Sequence, residues 1–425
     1  MKVYFDTIGC RLNQSEIEIM AAQFRRAGHS VVDDAGKADL VIVNTCAVTS
    51  AAASDSRQKI RQAAQKGAGQ IIATGCWATL EPQAALNLPG VENVVLNENK
   101  DNLVSDFLHI TPLIFDLEPL AREPLPGDHL RTRAFLKVQD GCDNFCTFCI
   151  TKVARGKGVS RPLAEVMVDV KNALDGGVKE IVLTGVHLGS WGKDLNHTSH
   201  LRDLIETILK ETTVQRLRLS SLEPWDLGED FFSLWGDPRL CPHLHLPLQS
   251  GSGDILKRMA RKTTPEKYMR IVLDARIVVP DIAITTDMIV GFPGETDELF
   301  EESMEFVRQV NFAGGHIFPF SARASTAAAE YDNQIPKAIR KRRSAAMRAV
   351  FAEMTHNYQS MYLGKTVEVL WESGEQLPDD RWLMKGLTGN YLRIATNTSF
   401  NLANQITQTK IPSFSEHGLH GEIID

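Results

Sequence analysis

Over roughly the first 320 residues, short apolar runs rich in Val, Ile and Leu alternate with amphipathic helical stretches. That alternation predicts an α/β class, with parallel sheets covered by helices. In residues 1–118 the strand-like runs are "KVYFDTIG", "DLVIVNT", "QIIATG" and "ENVVLN". Their near-continuous apolar character fits a small parallel sheet buried on both faces. Between the first two runs, "QSEIEIMAAQFRRAG" puts Ile17, Met20, Ala21 and Phe24 on one helical face, with Gly28 as its stop. The stretch "LEPLAREPLPGDHLRTR", with three prolines, reads as a linker.

Six further strands are expected in residues 132–330: "AFLKVQD", "EIVLTG", "RLRLSS", "HLHLPLQ", "AITTDMIVG" and "HIFPFS". Six βα units are too few to close an eight-stranded barrel, so an open, partial (βα)6 barrel is predicted; a doubly wound sheet would give a similar pattern. Residues 331–360 carry a basic helix, with six Lys or Arg against one Glu. The composition then shifts, and "KTVEVLWESG", "DRWLMKG", "NYLRIATN" and "LHGEIID" predict a small all-β module over 361–425.

Chemistry enters with the cysteines. Cys142, Cys146 and Cys149 fall in "GCDNFCTFCI", directly after a predicted strand. The short spacers let three thiolates converge on a metal centre. A structural zinc would call for a fourth ligand at comparable spacing, and none is near. A four-iron four-sulfur cluster on three thiolates instead leaves one iron open to a substrate. Cys10, Cys46 and Cys76 each stand just past a predicted strand, in "DTIGC", "VNTC" and "ATGC". In a parallel sheet they would meet at the carboxyl-end crevice, where such sheets bind ligands. A second open cluster is the expectation, against the alternative that buried thiols merely pack. Cys241 has no such partners and reads as a core residue.

Composition narrows the setting. Seven cysteines in 425 residues, odd in number, do not form a disulfide framework. The N-terminus lacks a signal-peptide pattern, and no run of about 18 apolar residues exists. The expected compartment is the cytoplasm. A net charge of −7 gives no general attraction to nucleic acid, so any such contact needs a local patch.

The loop "CDNFCTFC" resembles that of radical S-adenosylmethionine (SAM) enzymes. With Cys10, Cys46 and Cys76 ahead of it and a β module behind, the whole chain resembles the methylthiotransferases. "RLRLSSLEP", "HLHLPLQSGSGDILKRMARK" and "IVGFPGET" are most similar to the branch acting on threonylcarbamoyladenosine in tRNA. Sister branches act on isopentenyladenosine in tRNA or on a ribosomal protein aspartate. A non-catalytic iron–sulfur RNA-binding protein is the alternative from another class.

The resemblance implies two 4Fe-4S clusters and SAM. The cluster on Cys142, Cys146 and Cys149 would bind and cleave SAM, and the resulting radical would abstract hydrogen from carbon 2 of the adenosine. The cluster on Cys10, Cys46 and Cys76 would hold the sulfur to be inserted. Phe148, Thr184, Gly185, Ser220, Glu223, Gln249, Ser250 and Asp287 are the implied cofactor-binding positions. Arg261 and Arg323 are candidates for a carboxylate or an RNA phosphate, whereas His243 and His245 read as barrel packing. Implied partners are tRNA and an electron donor such as a flavodoxin or ferredoxin, acting on a monomer.

The C-terminal module resembles the small TRAM-like β-barrel that binds tRNA in this family, yet residues 361–425 hold five Lys or Arg against eight Asp or Glu. Phosphate binding needs positive charge, so Lys337, Arg340, Lys341, Arg342 and Arg343 of the preceding helix, with Arg348, are the expected RNA contacts. Trp371, Trp382, Tyr391, Phe400 and Phe414 could stack bases or fill the module's core. Two loops depart from the family pattern: "ITKVARG" lacks its proline and aromatic, and "SARAST" has Ala324 and Ser325 in place of proline and glycine.

Overall fold

The structure, a computed structural model, describes residues 1–111, 132–195, 199–228, 230–416 and 418–424. The first proposed boundary, at 118, and most of the proline-rich stretch lie outside the described residues.

The N-terminal sheet has five strands: β1 (Lys2–Thr7), β2 (Ser30–Val31), β3 (Leu40–Thr45), β4 (Gln70–Gly75) and β5 (Val91–Val95). All pair in parallel in the order β2-β1-β3-β4-β5. The central strand β3, "LVIVNT", is buried along its whole length, as a strand covered on both faces must be. The helix Arg11–Arg26 covers one face with Leu12, Ile17, Met20, Ala21 and Phe24. It starts three residues earlier than its apolar pattern predicts, because Asn13 and Gln14 are buried polar residues. Gly28, at φ +82°, ends the turn behind it.

The central unit is an open arc. Strands β6 (Arg133–Lys137), β9 (Glu180–Thr184) and β10 (Arg216–Leu219) form one parallel sheet, and β11 (His243–His245), β12 (Ala283–Val290) and β13 (Gly314–Pro319) form another. Parallel bridges Leu217–Leu240 and Ser221–His245 join the two. All six predicted strands are present in sequence order, which is the topology of a partial barrel rather than a doubly wound sheet. A small antiparallel pair, β7 (Gln139–Asp140) with β8 (Val159–Ser160), brackets the cysteine loop.

The helix Lys337–Ser360 packs on this unit through Met347, Val350, Phe351 and Met354. Beyond it, β14 (Thr366–Gln376), β15 (Trp382–Thr388), β16 (Arg393–Thr398), β17 (Ile406–Ser415) and β18 (Gly418–Ile424) close into a barrel in the order β14-β15-β16-β18-β17. Strand β17, "ITQTKIPSFS", was not expected from the sequence: Pro412 and the alternating polar residues hide it. Among the described residues no helix is long and apolar enough to cross a membrane.

The C-terminal barrel is fastened to the arc by buried arginines. Arg216 and Arg218 donate to the carbonyls of Leu387, Thr388 and Gly389 at 2.8–3.0 Å. Both also pair with fully buried Glu180, at 3.1 and 2.7 Å, and Arg133 lies 3.7 Å from the same carboxylate. Burial alone would push Glu180 up, but Arg218 and Arg216 hold it down at about 2. A carboxylate depressed from 4.5 in this way contributes stability above that value and loses it as pH falls toward 2. Glu180→Gln should therefore destabilise the fold at pH 7 by about 3–5 kcal/mol, because it strands buried guanidiniums. The gap to the unaltered protein should narrow as the pH falls below about 4.5. Urea unfolding across that range reads both effects, and a gap independent of pH would contradict them.

Candidate functional site

The first cysteine set is built by backbone geometry at the carboxyl edge of the N-terminal sheet. Cys10 follows β1 and caps the helix Arg11–Arg26, Cys46 directly follows β3, and Cys76 directly follows β4. These strands are neighbours, so the three residues share one edge and line a single cavity of roughly 840 Å³. Two of the preceding residues are glycines in the left-handed region, Gly9 at φ +107° and Gly75 at φ +93°. A Cβ on Gly9 would lie 2.6 Å from the Cys46 sulfur, and one on Gly75 would lie 2.4 Å from the Thr45 carbonyl. Only glycine lets these turns bring the thiols together.

Polar side chains hold this edge to the arc. Asn13 donates to the carbonyls of Ile8 (2.8 Å) and Thr45 (3.1 Å), and its oxygen accepts from Arg155 at 2.7 Å. Arg155 ends the short helix Thr151–Arg155, which follows the CxxxCxxC loop. It pairs with Glu16 at 2.9 Å and with Asp140 at 2.9 Å. Glu16 also takes Lys100 at 2.8 Å and Asn44 at 2.9 Å. Burial would push Glu16 up, yet Arg155 and Lys100 hold it well below the usual carboxylate range. Asn97 donates to the Ala154 carbonyl at 2.7 Å and approaches the Cys76 sulfur at 3.8 Å.

The second set sits at the carboxyl end of β6. Gly141, at φ +65°, precedes Cys142, and a Cβ there would collide with the Lys157 carbonyl at 1.7 Å. Cys142 takes a backbone bond to Gly156, Cys149 turns back onto Cys146, and Thr147 donates to Met259 at 3.1 Å. Arg261, buried, forks onto Glu223 (3.1 and 2.6 Å), reaches the Cys146 sulfur at 3.7 Å and lies 4.5 Å over Trp225. His187, on the loop after β9, bonds Asp226 at 2.5 Å and Asn144 at 3.4 Å. Burial would pull His187 down, but Asp226 and the Cys142 sulfur push it up to about 9.

The thiols suit iron–sulfur ligation in their arrangement. Among the described residues no three Cys, His, Asp or Glu side chains converge tightly enough for one ion. Three thiols on each set are what a cubane with one open iron calls for. Burial pushes the Cys10 thiol upward and the Cys46 thiol up to about 11, so a metal bound there would have to displace their protons. Cys10 is exposed and lines the cavity.

The remaining sequence candidates divide. Thr184, Gly185, Ser220 and Asp287 line the cavity with Arg11, Asn13, Tyr391, His243 and His245. The Ser220 hydroxyl is buried without a protein partner. His245 faces Asp287 at 3.4 Å, and both histidines bond the Thr285 hydroxyl at 3.0 Å. Glu223 is engaged by Arg261. Gln249 adopts φ +73° beside β12, and Ser250 is buried, accepting from the Ser252 amide. Phe148 packs against the apolar cluster of Ile255, Met259, Phe292, Phe320 and Ala328. Two guanidinium nitrogens of Arg323 are buried without a partner. Cys241 is buried, away from both sets.

On the basic helix, Arg343 is buried on Glu295 (2.8 Å) and Asp297 (2.8 Å), and Arg340 donates to the Phe320 carbonyl. These two fasten the helix instead of facing outward, which corrects the expectation that they meet phosphate. Lys337, Lys341, Arg342 and Arg348 are exposed. In the C-terminal barrel Trp371 is core, Trp382 and Phe414 pack at its edge, and Phe400 is exposed. Arg11, Glu16 and Arg155 escaped the sequence reading. The signal was available for the first, which directly follows Cys10, and for the last, which sits in the departing "ITKVARG" loop.

Residues 2–97 match the Uncharacterized protein family UPF0004, and residues 136–307 match the Radical SAM superfamily. The Threonylcarbamoyladenosine tRNA methylthiotransferase MtaB of Thermotoga maritima is 37% identical over 98% of this chain and 96% of its own length. Its Bacillus subtilis counterpart is 34% identical, over 96% and 93%. A tRNA-2-methylthio-N(6)-dimethylallyladenosine synthase of Cereibacter sphaeroides is 32% identical, over 99% and 98%. Among solved structures, a radical SAM methyltransferase of Kitasatospora setae superimposes with a TM-score of 0.59 at 15% identity, covering 77% of this chain and 75% of its own, a likeness of fold.

The glycine geometry yields a test. Gly9→Ala should dislodge the Cys46 sulfur and lower iron after anaerobic reconstitution from about eight to about four atoms per chain. Iron analysis showing about eight in the variant would separate Gly9 from cluster assembly.

Proposed function

Because the chain belongs to the methylthiotransferase family of radical SAM enzymes, we propose that it inserts a methylthio group at carbon 2 of threonylcarbamoyladenosine in tRNA. The observation that carries this reading is the meeting of three strand-end thiols with a partial-barrel rim in one cavity, beside a CxxxCxxC loop. The relatives at 34–37% identity support the threonylcarbamoyl branch. When bound, two 4Fe-4S clusters and SAM supply radical formation and the sulfur.

The residues have the following roles in this reading. Cys142, Cys146 and Cys149 hold one cluster, and Cys10, Cys46 and Cys76 hold the other. Thr184, Gly185, Ser220 and Asp287 contact SAM or the target nucleoside in the cavity. Glu223 acts through Arg261, keeping a cation beside the Cys146 sulfur. Phe148, Gln249 and Ser250 shape the rim. Lys337, Lys341 and Arg342 offer the phosphate contacts. The division into units at about 118, 132, 330 and 360 belongs to the same reading. The reading takes the protein as a monomer. Thiols kept for clusters need a reducing cytoplasm, with a flavodoxin or ferredoxin as reductant.

Expression in a bacterial strain whose tRNA carries threonylcarbamoyladenosine without its methylthio form tests the reaction. Nucleoside mass spectrometry should show the methylthio form appear. Conversion of isopentenyladenosine instead would move the chain to the sister activity. Cys46→Ala should retain reductive SAM cleavage while abolishing methylthiolation; a variant that still methylthiolates would remove Cys46 from the second cluster.

A further inference from the structure

At the cavity wall next to Cys10, the Arg11 guanidinium carries a charge that the protein leaves unanswered. Its Nη2 donates to the Tyr391 hydroxyl at 2.5 Å, and the group lies 5.7 Å from that ring and 5.8 Å from the ring of Phe135. Among the described residues no carboxylate pairs with it. Behind it, Arg133, Arg216 and Arg218 share Glu180, and Arg133 also takes Glu372 at 2.5 Å. Three guanidiniums against two carboxylates leave one excess positive charge, and Arg11 makes it two. His243, stacked on Tyr391 at 4.2 Å, does not add to this, because burial and then Arg218 hold it well below its ordinary value and keep it neutral. An arginine does not shed its proton under such pressure, so this wall calls for an anion.

The neighbouring cation Arg155 is already matched by Glu16 and Asp140. Arg11 is also held in place. Tyr391 sits at φ +69°, a costly backbone for a non-glycine residue, and the loop that carries it is pinned by Arg216 and Arg218 through three carbonyls. With the phenol on one nitrogen, Arg11 lines the cavity and keeps further guanidinium donors of the kind that pair with a carboxylate. Of the two N6 substituents named among the relatives, threonylcarbamoyl ends in a carboxylate and dimethylallyl is a hydrocarbon without charge.

We propose that Arg11, held by Tyr391 of the C-terminal barrel, binds the carboxylate of the threonylcarbamoyl group and selects that adenosine over ones with apolar N6 substituents. The inference rests on the substrate reading given above. Arg11 is the specificity-determining residue and Tyr391 a positioning residue.

The test measures binding of anticodon stem-loops to the reconstituted holoenzyme by fluorescence anisotropy. The target base is adenosine, threonylcarbamoyladenosine, its neutral methyl ester or isopentenyladenosine. The unaltered protein should prefer the carboxylate form, and Arg11→Gln should lose that preference by about ten- to a hundred-fold, as for a hydrogen bond to a charged group. Its affinity for the unmodified and ester forms should not change. Tyr391→Phe, distant in sequence from the Cys10 ligand, should raise KM for the carboxylate form several-fold at unchanged kcat, with iron content unaltered. Equal weakening of all four stem-loops by Arg11→Gln would assign the residue to an RNA phosphate and overturn the proposal, as would an unchanged preference. An unaltered enzyme that methylthiolates isopentenyladenosine alone would overturn the substrate reading first and this inference with it.

Discussion

The buried pairing of Glu16 with Arg155 is the constraint on which the rest of the site depends. Glu16 lies on the helix that Cys10 caps, and Arg155 ends the helix that follows the CxxxCxxC loop. One carboxylate–guanidinium contact thus fixes the frame of one thiol set against the frame of the other. Two buried charges are tolerable only if each is fully matched. Here Glu16 gathers Arg155, Lys100 and Asn44, while Arg155 divides itself among Glu16, Asp140 and Asn13. The same guanidinium offsets part of the rise that burial imposes on the Cys10 thiol. A cation at this point favours thiolate over thiol, so the clamp that joins the units also eases ligation.

Glycine backbone geometry builds both cysteine sets. Cys10, Cys76 and Cys142 each follow a glycine with positive φ, at 9, 75 and 141. In all three, a Cβ would strike a neighbouring carbonyl or sulfur at under 3 Å. A strand that must turn sharply and present a thiol at its end meets the same steric problem whether it belongs to the sheet or to the arc. Cys46 is the exception: it follows Thr45, whose hydroxyl instead bridges to the Thr74 carbonyl and the Ala78 amide.

The longer strands of the sheet and the arc could be read from local pattern because burial leaves uninterrupted apolar runs, and the strand-end and CxxxCxxC cysteines stood out because their spacings are local. What could not be read depends on distant partners. Arg11 meets Tyr391 across 380 residues, and Arg155 meets Glu16 across 139. No window of sequence contains either pair. The helix start at Arg11 was missed because its first turn is polar yet buried, being occupied with the cavity. Arg340 and Arg343 misled for the converse reason: a basic run looks solvated until Glu295, Asp297 and the Phe320 carbonyl are seen opposite it.

The acidic C-terminal barrel then finds an explanation that needs no phosphate contact. Residues 361–425 carry a net charge of −3, a poor surface for a polyanion. Its loop at Asn390–Arg393 instead reaches into the cavity, where Tyr391 stacks on His243 and bonds Arg11. The arc secures that loop with arginines buried against its carbonyls, an investment in precision at one point rather than in attraction over a surface. In the function proposed above, phosphate contact falls instead to the exposed Lys337, Lys341 and Arg342 of the preceding helix, whose contribution salt will screen. Under the proposals made above, charge on the helix and shape in the barrel are separate devices, the first weak and general, the second local and selective.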